Sequence, residues 1–236
     1  MRFLVTAASQ ALRSAEITIG MEWRVFIATD SAHAPFDLWS FLGLSSVEPE
    51  IRDDLYIVSN DAVGIKARGG RQVEIKVRSQ RKLRGAEHWT KYAVSADSIE
   101  KLDIRRVLEQ VARKILPPDD FATAMTIASQ PIRFLNIKKK VQKQHVRSLS
   151  VEQTDIQCHL PQSNTVFSYR TFCVEGGTAK SIYDFVEKIG LVKQVGATAL
   201  VNQFHKDTDT DKDTMARVAL GYPGFVKQIA DRLSAC

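Results

Sequence analysis

The chain has 236 residues, 44% hydrophobic and 25% charged, a composition that suits a soluble globular protein and excludes a disordered one. Lys and Arg number 33 against 27 Asp and Glu, and the resulting +6 favours anionic partners without implying nucleic acid. Cys158, Cys173 and Cys236 are too few and too unpatterned for a disulfide framework or a zinc site, and no apolar run approaches the ~20 residues of a membrane-crossing helix.

Residues 1–15 hold two arginines, two serines and no acid, which reads as a lead-in; a mitochondrial presequence shares that composition. Alternation and Gly/Pro punctuation predict a first strand over 16–28 and a short helix over 35–42. Strands follow over 54–59, 63–68, 72–79 and 87–94, with tight turns at Asn60-Asp61 and Gly69-Gly70. A helical pattern over 98–116 stops at Pro117-Pro118. Three longer strands are predicted over 132–143, 146–160 and 165–175, then a helix over 181–189 and a last one over 223–233. Eight mostly antiparallel strands with a few flanking helices predict an α+β barrel or tunnel.

Side chains two apart on a strand share a face. Glu22 and Arg24 therefore oppose Met21, Trp23 and Val25; Lys66 and Arg68 oppose Val63, Ile65 and Ala67; Glu74, Lys76 and Arg78 oppose Val73, Ile75 and Val77. These charged faces either meet solvent, as cross-strand pairs worth about 0.2–1 kcal/mol each, or line a polar cavity that holds an anion. On the sixth strand Asn136, Lys138, Lys140 and Gln142 share one parity, and the reading assigns that set to the lumen. Ile137, Lys139, Val141 and Lys143 take the other.

The order of these motifs resembles the CYTH superfamily, the triphosphate tunnel enzymes, which include one class of adenylyl cyclases, thiamine triphosphatases and inorganic tripolyphosphatases. The resemblance spans about residues 17–176. It rests on Gly20-x-Glu22-x-Arg24, Gly64-Ile-Lys66-Ala-Arg68, Glu74-Ile-Lys76-Val-Arg78, Lys138-Lys139-Lys140, the acid-bearing run Glu152 to Asp155, and Glu175. Two departures stand out: Gly20 occupies the place of the family's first metal-binding Glu, and Arg24 replaces a Lys. The resemblance implies that 16–236 form one tunnel domain. It also implies that Arg24, Lys66, Arg68, Lys76, Arg78, Lys138 and Lys140 contact phosphate, and that Glu22, Glu74, Glu152 and Glu175 hold Mg²⁺ or Mn²⁺. Glu22, Glu74 and Lys76 become the candidate catalytic groups for metal-assisted phosphoanhydride hydrolysis. The implied partner is a small triphosphate or polyphosphate, with neither membrane nor nucleic acid, and the implied compartment is the cytoplasm.

Two other readings stay open. One is a catalytically degenerate member that binds polyphosphate or nucleotide without turnover. The other is an interaction module that touches RNA through Arg78, Arg81, Lys82 and Arg84, for which a solvated turn is the plainer account. Asp207, Asp209, Asp211 and Asp213 alternate as in a calcium loop, but Lys212 and Val218 stand where that loop needs Gly and Glu. This stretch reads as a solvated loop.

Overall fold

The computed structural model describes residues 16–29, 36–58, 62–68, 72–83, 86–95, 133–159, 166–191, 217–218 and 222–234. Its strands are β1 (Glu16–Ala28), β2 (Glu50–Ile57), β3 (Val63–Arg68), β4 (Gln72–Leu83), β5 (Ala86–Ser95), β6 (Phe134–Val146), β7 (Leu149–His159) and β8 (Val166–Glu175). They form one antiparallel sheet in the order β5-β4-β3-β2-β6-β7-β8-β1, and β1 pairs with β5 to close it. The fold is thus α+β, a closed eight-stranded barrel with three described helices: α1 (Leu38–Leu42), α2 (Ala179–Lys188) and α3 (Tyr222–Ser234). A two-residue β9 (Arg217–Val218) pairs with the end of β1, beyond the stretch that β5 covers. The predicted helix over 98–116, the 60–61 and 69–70 turns and the 207–213 loop lie outside the described residues. Among the described residues no helix is long and apolar enough to cross a membrane, which says nothing of strands.

The strand alternation sorts side chains to two sides of the barrel wall. The outward set of β1 (Trp23, Val25) packs with Val151, Phe172 and Val174 against Ile182 and Val186 of α2 and Leu38 and Trp39 of α1. Thr178 starts α2 with a capping box, its hydroxyl accepting from the Ser181 N–H at 3.1 Å. Asp37 caps α1, accepting from the Trp39 and Ser40 N–H groups. Outward Ile65, Ile75 and Val77 form a second cluster with Val63, Val73 and Tyr92.

The lumen is half apolar and half charged. At the end where β1 finishes and β3 begins, Phe26, Tyr56, Leu135, Ile137, Ile156 and Tyr169 enclose Phe225, Val226, Ile229 and Ala230 of α3. Phe225 stacks on Phe26 at 3.9 Å between centroids and meets Tyr169 edge-on at 5.0 Å. α3 therefore plugs that end. Its entry needs a glycine on the wall, because a Cβ at Gly64 would stand 2.6 Å from the Pro223 Cγ. Tyr222 and Pro223 floor the charged half.

Phe225→Ala removes the centre of this plug and should destabilise the protein by about 3–5 kcal/mol. Gly64→Val should cost about 1–3 kcal/mol by overpacking. Both are read from the midpoint shift in urea unfolding.

Candidate functional site

Above Tyr222 the barrel holds a cavity of about 490 Å³ lined by eight cations and six carboxylates. The wall divides them into two groups. In the first, Arg24 from β1 is the centre. Its Nε donates to Glu22 at 3.1 Å, its Nη1 donates to Glu152 on β7 at 3.0 Å, and its Nη2 stands 3.9 Å from Glu175 on β8. Lys76 on β4 donates to the other Glu22 oxygen, and Lys143 on β6 donates to Glu175 at 2.9 Å. The Arg24 guanidinium also lies over the Tyr222 ring at 4.5 Å. Burial alone would raise the Glu22 carboxyl, but Lys76 and Arg24 outweigh it and hold it far below the usual carboxylate range. Glu152 is likewise drawn down, against its burial, to about 2 by Arg24 and Thr154.

The second group sits across the chamber around Asp54 of β2. Lys139 on β6 donates to Asp54 at 2.6 Å and to the Tyr56 hydroxyl at 2.7 Å. Lys66 stands 3.5 Å from Asp54 and 2.9 Å from Glu74, and Arg68 meets Glu74 at 3.0 Å. Burial would raise Asp54, yet Lys139 and Lys66 bring it to about 2. Lys139 is only 2% exposed, and burial with Lys66 beside it holds its ammonium well below the ordinary lysine value. Its Nζ lies 4.1 Å from the Tyr222 ring centroid, a cation–π contact that replaces part of the lost hydration.

Of the residues singled out in the sequence, Glu22, Arg24, Lys66, Arg68, Glu74, Lys76, Glu152 and Glu175 all line this chamber. Glu74 stands apart from the other three acids, however, because its partners are Lys66 and Arg68. Arg78 pairs with Glu87 and lies off the chamber wall. Lys138 and Lys140 are corrected: both are exposed on the outer face, and Lys139 is the inward residue. The inward parity of β6 carries Leu135 and Ile137 into the plugged half before reaching Lys139 and Lys143, so its apolar look is a property of the lumen itself. Arg52, Asp54, Tyr56, Lys143 and Tyr222 also belong to the site. Arg52-x-Asp54-x-Tyr56 carries the same alternation as the other charged strands, and extending the second strand back to Glu50 would have found it.

Glu22, Cys173 and Glu175 each bring one ligand atom within 4.8 Å of the others. Cys173 is a neutral thiol, pushed well up by burial, and a poor donor for a hard cation. The carboxylates of Glu22 and Glu175, facing across the β1–β8 ladder, fit a cation that keeps several waters and takes further oxygens from a bound phosphate.

No family model matches the chain, and no curated protein matches it. Among solved structures, a Bacillus halodurans protein described as a "putative adenylate cyclase" is similar over 83% of this chain and 95% of that one, at 9% identity and a TM-score of 0.39. The chain's own wall is a closed antiparallel barrel with acids and bases converging inside.

The folded-state carboxyl values have a consequence for stability. A depressed carboxyl stabilises the fold above its unfolded value and loses that contribution as pH falls through its folded value. For Glu152, from 4.5 to about 2, the contribution is roughly 3 kcal/mol. Urea unfolding should therefore show stability falling from pH 5 to pH 2.5, and Glu152→Gln should flatten that fall. An unchanged slope in the variant would mean that Glu152 is not held by Arg24.

Proposed function

We propose that the chamber binds a triphosphate-class anion together with Mg²⁺ or Mn²⁺ and hydrolyses a phosphoanhydride bond in it. The observation that supports this reading is the convergence of Arg24, Arg52, Lys66, Arg68, Lys76 and Lys139 from five strands onto one enclosed space. A surface charge ladder would spread such groups in solvent; here the barrel turns them toward a common centre. Lysines supply compact charge and arginines forked donors, which together match the oxygens of a chain of phosphates.

Lys66, Arg68 and Lys76 hold the phosphate chain, and Glu74 orients Lys66 and Arg68. Glu22 and Glu175 hold the divalent cation, which supplies charge neutralisation on the phosphate oxygens when bound. Water attacks the terminal phosphorus, the bond to the bridging oxygen breaks, and the electron pair leaves on that oxygen. The proton that the water gives up goes, directly or through solvent, to the departing phosphate oxygen, because Glu22, held far below the usual carboxylate range by Lys76 and Arg24, stays ionised.

A second reading, binding without turnover, is favoured by two features of the same wall. Gly20 provides no carboxylate, and the Arg24 guanidinium already meets Glu22 and Glu152.

Isothermal titration with tripolyphosphate and Mg²⁺ tests the shared part of both readings. Lys66→Ala and Lys76→Ala should each weaken binding by about tenfold or more, the loss of one charge-assisted contact. Absence of binding by the wild type sinks the assignment. Phosphate release separates the two readings: turnover lost in Glu175→Gln supports hydrolysis, and tight binding with no release supports the second.

A further inference from the structure

The barrel closes through β1, and the first half of that strand has one edge open. β5 pairs with β1 over Glu16–Glu22, whereas the β8 ladder begins only at the Glu22–Glu175 pair. The backbone groups of successive strand residues point to opposite neighbours. The Gly176 N–H donates to the Met21 carbonyl at 3.0 Å and the Thr29 N–H to the Ser168 carbonyl at 3.0 Å, so the odd-numbered residues of β1 turn theirs toward β8. Beyond Gly176 the chain leaves the sheet, with Gly177 at φ +60°, and enters α2. Ile17 and Ile19 share the parity of Met21, and among the described residues their N–H and C=O groups meet no partner.

This edge is apolar as well as open. Ile17 is 59% exposed and Ile19 is 62% exposed, both on the outer face that carries Trp23 and Val25 further along. Proteins guard free strand edges with Lys, Pro or a bulge, and Glu16-Ile17-Thr18-Ile19-Gly20 has none of these. The comparable end of β2, Glu50–Asp53, lies outside the β3 ladder but carries Glu50, Arg52 and Asp53.

The β1 segment is also complementary to itself. In an antiparallel pairing centred on Thr18, Ile17 stands opposite the partner's Ile19, and the reverse pair follows by symmetry. Both members turn their backbone groups to the shared edge, so each pair exchanges two hydrogen bonds and every free group of the two segments is met. The isoleucines pack on one another across the outer face. Glu16 falls opposite the partner's Gly20, so no like charges oppose, and a Cβ built on Gly20 meets nothing within 4 Å. Slipping the register to put Ile19 against the partner's Ile19 would set Ile17 against the partner's Met21, whose carbonyl Gly176 already holds.

We infer that two copies of the chain pair along this edge, β1 against β1, as an antiparallel two-fold dimer. Thr18, Ile19 and Gly20 also line a cavity of about 300 Å³ that shares Glu22 and Glu175 with the chamber, so the partner's strand becomes part of the wall of that cavity.

Sedimentation velocity of the full chain from about 1 to 200 µM tests this, the range in which so small an interface associates. The wild type should pass from monomer to dimer. Ile17→Lys combined with Ile19→Lys sets lysine against lysine and should raise the Kd by about tenfold or more. Ile17→Lys combined with Ile19→Glu introduces as many charges but sets each lysine against a glutamate, and should keep the Kd within about threefold of wild type. Both variants leave the β1–β5 ladder intact and should unfold at the wild-type urea midpoint. A wild type that stays monomeric throughout overturns the proposal and leaves the edge to a different occupant. A dimer that the double-lysine variant does not weaken lies elsewhere on the surface and overturns it too. Equal weakening in both variants overturns the pairing of Ile17 with the partner's Ile19.

Discussion

A guanidinium removed from water costs several kcal/mol unless its charge and its N–H groups are all met, and Arg24 is 6% exposed in the middle of a barrel. Glu22 and Glu152 meet it directly, Glu175 lies close, and the Tyr222 ring covers its face. Those four partners come from β1, β7, β8 and α3, so the charge of one side chain fixes the register of three strands and the depth of a helix. Removing Arg24 would leave three carboxylates facing one another. Removing any one acid would leave the guanidinium short. The compensation is mutual, and it explains why acids and bases recur together along these strands.

The same accounting governs the far side of the chamber. Asp54 takes Lys139, Lys66 and the more distant Arg52, while Glu74 takes Lys66 and Arg68. Below both groups the lumen becomes apolar and α3 fills it, since a barrel of eight strands is wide enough to need filling by side chains. Tyr222 stands at the boundary, with its ring presented to Arg24 and Lys139 above and to Phe26 and Phe225 at its edges. An aromatic ring suits that place because its face attracts cations and its rim packs with hydrocarbon.

Much of this was legible in the chain. The alternation of β1, β3 and β4 assigned Glu22, Arg24, Lys66, Glu74 and Lys76 to one face each, and β1 and β3 have their predicted bounds. The strand count and the antiparallel order followed from turn signals. Lys138 and Lys140 went to the wrong side because the rule applied was that an apolar parity faces a packed layer outside a polar lumen. β6 breaks that rule, since its inward set packs on α3 at one end and meets Asp54 and Glu175 at the other. No local signal distinguishes these cases: the difference lies in where a helix some 80 residues later in the chain inserts. Tyr222 was unreadable as a site residue for the same reason, and Arg52 was lost when the second strand was begun four residues late, which left Asp54 at its edge without the charged partner that marks the alternation.

The balance of charge inside the chamber bears on what it can hold. Eight cations face six carboxylates at the wall, and Asp54 lies just beneath them, so the wall by itself is close to neutral. A triphosphate carries several negative charges and would leave that space strongly anionic if it entered alone. Lysines and arginines turning toward phosphate would also release Glu22, Glu74 and Glu175 from their present partners. Entry of the anion therefore calls for added positive charge near the released acids. Glu22 and Glu175 line both the chamber and a smaller cavity beside it, where such charge would sit against both the wall and the phosphate chain. Under the proposed function, anion and divalent cation would therefore bind as a coupled pair, each raising the affinity for the other by the same factor.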